Sequence, residues 1–264
     1  MSFDIVIKIT FGDLDLPQPR SSGKTPCTEC PLRRLAVFEN EDVEQLQFIE
    51  TFKIGEMVID QGAPIYIEGA NSPYLYTLLQ GWAFRYKSLA DGRRQIVNYA
   101  LAGDFLGLQV SMGAALECGV EALTDVRLCV FSRDRLYSLF VKHPSLGFNL
   151  TWLAAREERF LDDNLLAVGR RTALEKVAYL ISHIFVRARE LNLAREGRLD
   201  MPMTQQHLAD TLGLSLVHLN KTLRKLRATG LVVIDGRNWT VKDEEALAHL
   251  AKVDVATRAR RPLI

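Results

Sequence analysis

Between residues 52 and 133 the apolar residues come in short runs, and turn-forming residues end each run. Met57-Val58-Ile59 precedes Gln61-Gly62, Ile65-Tyr66-Ile67 precedes a stretch from Gly69 to Pro73, and Tyr74 to Leu79 precedes Gly81. Trp82 to Tyr86 leads to Asp91-Gly92, Gln95 to Leu101 leads to Gly103-Asp104, Val120 to Leu123 leads to Thr124-Asp125, and Arg127 to Phe131 closes the series. Short strands at roughly 8–12-residue spacing predict a sandwich or barrel. Asp91-Gly92 predicts a hairpin, because Asp and Gly tolerate the positive φ that a two-residue turn needs.

From about residue 133 the apolar period lengthens to that of a helix. Arg133 to Val141 reads as a short helix. Pro144 opens a long one, since its missing N–H has no helical partner in a first turn anyway. Heptads counted from Leu150 place Leu150, Leu153, Glu157, Phe160, Asn164 and Ala167 on one seam, with Leu161, Leu165 and Val168 beside it. Two readings fit. The helix pairs with a second copy, and the polar positions Glu157 and Asn164 set register, or it is an amphipathic helix packed on its own barrel. The segment that follows favours the first. Thr172 to Arg189 is a further amphipathic helix, with Leu174, Val177, Ala178, Ile181 and Ile184 on one face. Residues 192–201, containing Gly197, read as a loop.

Residues 204–241 carry the clearest local signals. Thr204 is an N-cap, Leu208, Ala209 and Leu212 form an apolar face, Gly213 breaks the chain and Ser215 caps again. Leu216, Leu219, Leu223 and Leu226 form a second apolar face, opposite His218, Lys221, Arg224, Lys225 and Arg227. Two short helices joined through a Gly turn, the second basic on its outer side, predict a helix-turn-helix. Leu231 to Ile234, Asp235-Gly236 and Trp239 to Val241 predict a hairpin wing. Exposed positions near the start of the second helix, Leu216, Val217, His218, Lys221 and Arg224, can reach base edges in a major groove. Thr204, Gln205, Gln206 and Ser215 can donate to phosphates, and Arg237 on the wing to a second backbone position. The plainer alternative is a solvated cationic face. One such module binds weakly, whereas two on a two-fold axis read half-sites one DNA turn apart. That requirement makes Leu150, Leu153 and Phe160 candidate dimer contacts.

Charge changes the picture in one respect. Residues 1–168 hold 16 Lys+Arg and 22 Asp+Glu, net −6; residues 169–264 hold 17 and 10, net +7, together the +1 of the 264-residue chain. A basic last third suits a phosphate-facing surface. No apolar run reaches the ~18 residues of a membrane-spanning helix. The N-terminus lacks a basic region followed by an apolar core, so a cytoplasmic protein is expected. No HExxH, GxSxG or Gly-rich phosphate loop occurs, and His143, His183, His207, His218 and His249 all lie outside the β segment. That excludes a His-ligated barrel enzyme. A non-enzymatic rival is a ligand-binding or interaction β-module whose C-terminal helices only pack.

The order of β segment, long helix and winged helix-turn-helix resembles the Crp/Fnr family of bacterial transcription regulators, over about residues 27–250. The resemblance is carried by Gly55-Glu56, Gly62, Leu75 to Gly81, Leu101-Ala102-Gly103-Asp104-Phe105-Leu106-Gly107 and Thr204 to Ser215. It implies an α+β fold: an N-terminal β-roll of jelly-roll type, a long dimerisation helix and a C-terminal winged helix-turn-helix. The expected division is an arm over 1–26, a β-roll over 27–143, the dimer helix over 144–168, the DNA-binding domain over 169–250 and a basic tail over 251–264, in which Arg258-Ala259-Arg260-Arg261 reads as disordered. Implied partners are double-stranded DNA at a palindromic site, RNA polymerase and a second copy; no membrane is involved. Members often read bases with Glu and Arg, where this chain has Val217 and Lys221, so the usual half-site does not carry over. Members that bind cyclic AMP carry a Glu just after the Gly-Asp-Phe-x-Gly turn and an Arg-Ser pair about ten residues on. Here those places hold Leu108 and Leu116-Glu117, which argues against cyclic AMP.

Cys27-Thr28-Glu29-Cys30 is a CxxC, a spacing at which two thiolates can share a metal or cluster. It resembles the N-terminal ligand run of oxygen-sensing Fnr proteins, with Cys129 at the place of their internal ligand. Their third N-terminal cysteine is replaced here by Ala36, and Cys118 is a candidate substitute. Three readings stand: an iron–sulfur cluster, a thiol switch or zinc pair at Cys27, Cys30 and Cys129, or inert thiols with Cys118 and Cys129 as core fillers.

Overall fold

The structure, a computed structural model, describes residues 20–21, 23–39, 42–109, 115–253 and 260–264. Most of the expected arm over 1–26 lies outside them. The apolar runs become strands, and they pair into two antiparallel sheets. The first holds β1 (Arg20–Ser21), β2 (Lys53–Ile59), β9 (Val126–Ser132), β4 (Tyr74–Gln80) and β7 (Phe105–Leu106), in that order. The second holds β3 (Pro64–Tyr66), β8 (Gly119–Ala122), β5 (Ala83–Ser88) and β6 (Arg94–Ala100). The Asp91-Gly92 turn joins β5 to β6, with Gly92 at φ 84°. Leu78, Ala83, Leu128 and Val130 lie in the core between the sheets.

Four corrections concern the elements expected along the chain. The arm does not extend to residue 26: β1 pairs with Val58 and Met57, and the Thr25 amide donates to Glu56. A helix α1 (Val43–Phe52), capped by Asp42, precedes β2; it buries Ile49 and Phe52, too small a stripe to stand out along the sequence. Residues 192–201 are not all loop, since β10 (Arg198–Asp200) pairs with the wing. The end of the expected tail is not disordered, because Arg261, Leu263 and Ile264 are buried against the β-roll; Arg258 and Ala259 lie outside the described residues.

A short helix α2 (Leu136–Lys142) leads into α3 (Pro144–Arg170), which has Pro144 in its first turn. Helix α4 (Ala173–Glu190) starts on a Thr172–Glu175 capping box, then packs on α6 (Leu216–Ala228) and α7 (Glu244–Leu250). Helix α5 (Gln205–Leu212) precedes α6, and β10, β12 (Asn238–Val241) and β11 (Val232–Asp235) form the small sheet.

Candidate nucleic-acid interface

The helix-turn-helix is built from its caps outward. The Thr204 hydroxyl accepts from the His207 amide at 3.2 Å, and His207 Nδ1 accepts from the Thr204 amide at 3.2 Å. A histidine thus does the reciprocal capping usually done by Glu or Gln. Burial, then the neighbouring Arg94 guanidinium, lowers the His207 pKa and favours the neutral ring that can accept. Gly213 adopts φ 62°, ψ 37°, a left-handed turn that ends α5 without a Cβ penalty. Ser215 then caps α6 by accepting from the His218 amide.

Leu219, Leu223 and Leu226 anchor α6 in the core, and Thr222 bonds back to the His218 carbonyl. The opposite side is open. Val217 is 80% and Leu216 41% exposed, and His218, Lys221, Arg224, Lys225 and Arg227 are exposed too. Thr204, Gln205, Gln206 and Ser215 lie exposed at the starts of the two helices. Among the described residues no acidic side chain is paired with Lys221 or Arg224. Eight of the ten residues expected to touch DNA therefore sit exposed without an acidic side-chain partner among the described residues. Two are engaged although exposed: Gln206 donates to Asp210 at 2.6 Å, and Arg237 forks onto Asp200 of β10 at 2.9 and 3.0 Å. The unrecognised strand β10 is what supplies this partner.

The expected dimer seam is turned inward. Leu150, Leu153 and Phe160 are buried within the chain. Glu157 receives both Asn98 Nδ2 at 3.0 Å and Arg85 at 3.0 Å from the β-roll. Asn164 donates to the Val97 carbonyl and accepts from Tyr179. The polar seam positions thus meet partners on β5, β6 and α4 of the same chain. The large apolar side chains that α3 leaves exposed are Phe148, Leu165 and Leu166.

A cavity of about 210 Å³ lies between the β-roll and α3. Leu108, Leu116 and Cys118 line it. Its two guanidiniums are engaged: Arg85 with Glu157, and Arg156 with Asp104 at 3.3 Å. Glu117 points away, to Lys87 at 3.5 Å.

Cys27, Cys30 and Cys129 come near one another, beside Lys53, which is buried and paired with Glu56 at 2.6 Å. Burial, then the Glu50 carboxylate, pushes the Cys27 thiol up to about 12. Burial likewise pushes Cys129 up to about 12, against the pull of Lys53. Cys118 is elsewhere, among Arg85, Lys87 and Glu68. Among the described residues no group of three or more His, Cys, Asp or Glu is placed to hold a metal ion. With the Cys27 and Cys129 thiols held protonated by burial and the candidate fourth, Cys118, on another wall, these cysteines do not fit an iron–sulfur cluster. The candidate Cys118 does not join them, because Cys118, just before β8, and Cys129, on β9, lie in different surroundings.

Two family models match the chain: a Crp-like helix-turn-helix domain over residues 175–250 and a cyclic nucleotide-binding domain over 52–143. The chain is 34% identical over 229 residues to the nitrogen fixation regulation protein FixK of Bradyrhizobium diazoefficiens, covering 85% of this chain and 93% of that one. It is 29% identical over 218 residues to the transcriptional activator protein FnrL of Cereibacter sphaeroides, covering 81% and 87%. The structure of FixK2 from Bradyrhizobium japonicum superposes with a TM-score of 0.66 at 29% identity, over 76% of this chain and 98% of that one. These relatives are regulators rather than enzymes. None of the described helices is long and apolar enough to cross a membrane. The chain belongs to the Crp/Fnr family of transcription regulators and carries that family's helix-turn-helix for binding DNA.

Proposed function

We propose that the protein works as a homodimer that reads a palindromic DNA site with α6, without control by cyclic AMP. The observation that carries this reading is the open face of α6. Leu216, Val217, His218, Lys221 and Arg224 project from a helix whose other side is fixed by Leu219, Leu223 and Leu226. The N-terminal turns of both helices offer Thr204, Gln205, Gln206 and Ser215 to phosphates. Val217 fits a thymine methyl, and Lys221 a guanine or phosphate. Arg237 reaches the backbone only by leaving Asp200.

Dimerisation uses α3, but through its exposed apolar side chains Phe148, Leu165 and Leu166, since the seam at Leu150, Leu153, Glu157, Phe160 and Asn164 serves the chain's own packing. The cavity supports independence from cyclic AMP. A cyclic phosphate entering it meets Leu108 and Leu116, and two guanidiniums already neutralised by Glu157 and Asp104. As a regulator the protein acts in the cytoplasm, with RNA polymerase as its downstream partner.

In vitro selection of bound DNA, run in air, without oxygen and with added cyclic AMP, tests the reading. One palindromic consensus of equal affinity in all three conditions is expected. A non-palindromic site, or binding that requires the nucleotide, overturns it.

A further inference from the structure

None of the residues expected to touch DNA lies in the seat of residues 260–264, yet the segment is closely held. The Arg261 amide donates to the Val37 carbonyl at 2.9 Å, and the Glu39 amide donates to the Arg261 carbonyl at 2.9 Å. The Arg261 guanidinium lies 4.6 Å from the Phe38 ring centre and donates to Asp104 at 2.7 Å and to the Ala102 carbonyl at 3.0 Å. Leu263 and Ile264 join the main apolar core, and the Thr77 hydroxyl donates to the Ile264 carbonyl. Gly103 is required here: at φ 84°, a Cβ would lie 2.2 Å from the Phe38 ring. Asp104 also takes Arg187 from α4 and Arg156 from α3. One carboxylate therefore ties this segment, the long helix and the winged domain together.

We propose that the groove formed by Phe38, Thr77, Ala102 and Asp104 is a peptide-binding site for the chain's own Arg261-Pro262-Leu263-Ile264, one guanidinium followed by two apolar side chains, and that its occupancy fixes the winged domain against the β-roll. The second half rests on the DNA-reading proposal; the groove itself does not. A winged domain held in place meets DNA already ordered, whereas a loose one loses affinity to the ordering it must undergo on binding.

Hydrogen exchange at the Glu39 and Arg261 amides in the full chain reads occupancy directly. Arg261→Ala is expected to speed exchange of both by at least about tenfold, with Arg261→Lys in between. Adding the synthetic peptide of residues 260–264 to the Arg261→Ala protein restores protection at Glu39 and the DNA affinity that the variant lost. A peptide with Ala in place of Arg261 does neither. Where the Ala variant does not fold, the Lys variant carries the same comparison. Unchanged exchange at Glu39 together with no peptide rescue overturns the site, whatever DNA binding does. Restored protection with DNA affinity constant throughout overturns the coupling alone.

Discussion

Lys221 and Arg224 stand on the exposed side of α6 with no acidic partner among the described residues. Each neutralised phosphate releases counterions, so each substitution by Ala should lower the slope of log affinity against log salt by about 1. Anisotropy titrations of the selected operator across a salt series check this; an unchanged slope removes these residues from the phosphate contacts. The thiols give an opposite kind of prediction. With pKa values of about 12, Cys27 and Cys129 are thiolate to about one part in ten thousand at pH 8, and the thiolate is the reactive form. Iodoacetamide at that pH should label half-buried Cys30 first and reach Cys27 and Cys129 only after unfolding or near pH 12. Mass spectrometry of the native protein showing Cys129 labelled early would contradict the buried, protonated state. Cysteine spacing was legible in the sequence; the thiols' protonation was not, because it depends on Lys53, Glu50 and burial supplied by distant segments.

At the scale of the element, the helix-turn-helix is set by local chemistry. Gly213 holds a left-handed conformation that costs a Cβ-bearing residue about 1–2 kcal/mol. Nothing crowds the site beyond a 3.6 Å approach to Val168. Gly213→Ala should therefore lower stability by about that amount in denaturant melts. The long helix behaves differently. Its heptad positions are apolar enough to pair with any complementary surface, and the chain's own β-roll and α4 offer one. Asn98 and Arg85 satisfy Glu157, while Val97 and Tyr179 satisfy Asn164. Its exposed large apolar side chains, Phe148, Leu165 and Leu166, are where a second copy is expected. Leu166→Asp should shift sedimentation toward the monomer and weaken operator binding, with little change in the melt. A dimer that persists places the interface elsewhere.

Across the whole molecule, Asp104 is the shared anchor of three segments. Burial alone would raise its carboxyl, but Arg187, Arg261 and Arg156, with the Leu101 amide, outweigh burial and hold it well below the usual carboxylate range. Its folded pKa is depressed, so its stabilisation is present above the unfolded value of about 4 and is lost as pH falls below that. Asp104→Asn should cost about 3–5 kcal/mol near pH 7, because three guanidiniums lose their counter-charge. The variant should also lack this part of the acid dependence of the wild type. Equal stability of the two proteins at neutral pH would dissolve the hub. Helix α5 is a second tie between the halves: the Tyr99 and Thr211 hydroxyls lie 2.7 Å apart, and Arg94 meets Asp210 at 3.1 Å.

The sequence by itself determined whatever is decided within a few residues. Alternating runs closed by Gly turns gave the strands, Pro144 started the long helix, and Thr204, Gly213 and Ser215 placed the two short helices whose leucines leave the basic side outward. These outcomes are local because caps, turns and periodicity act over one or two turns of chain. Only the tertiary structure decided which surface the long helix covers, that Asp200 occupies Arg237, that Cys118 stands apart from Cys129, and that Arg261 is buried rather than solvated. Each of those depends on a partner tens to hundreds of residues away, and an arginine or a leucine reads the same in sequence whether it meets water, DNA or a buried carboxylate.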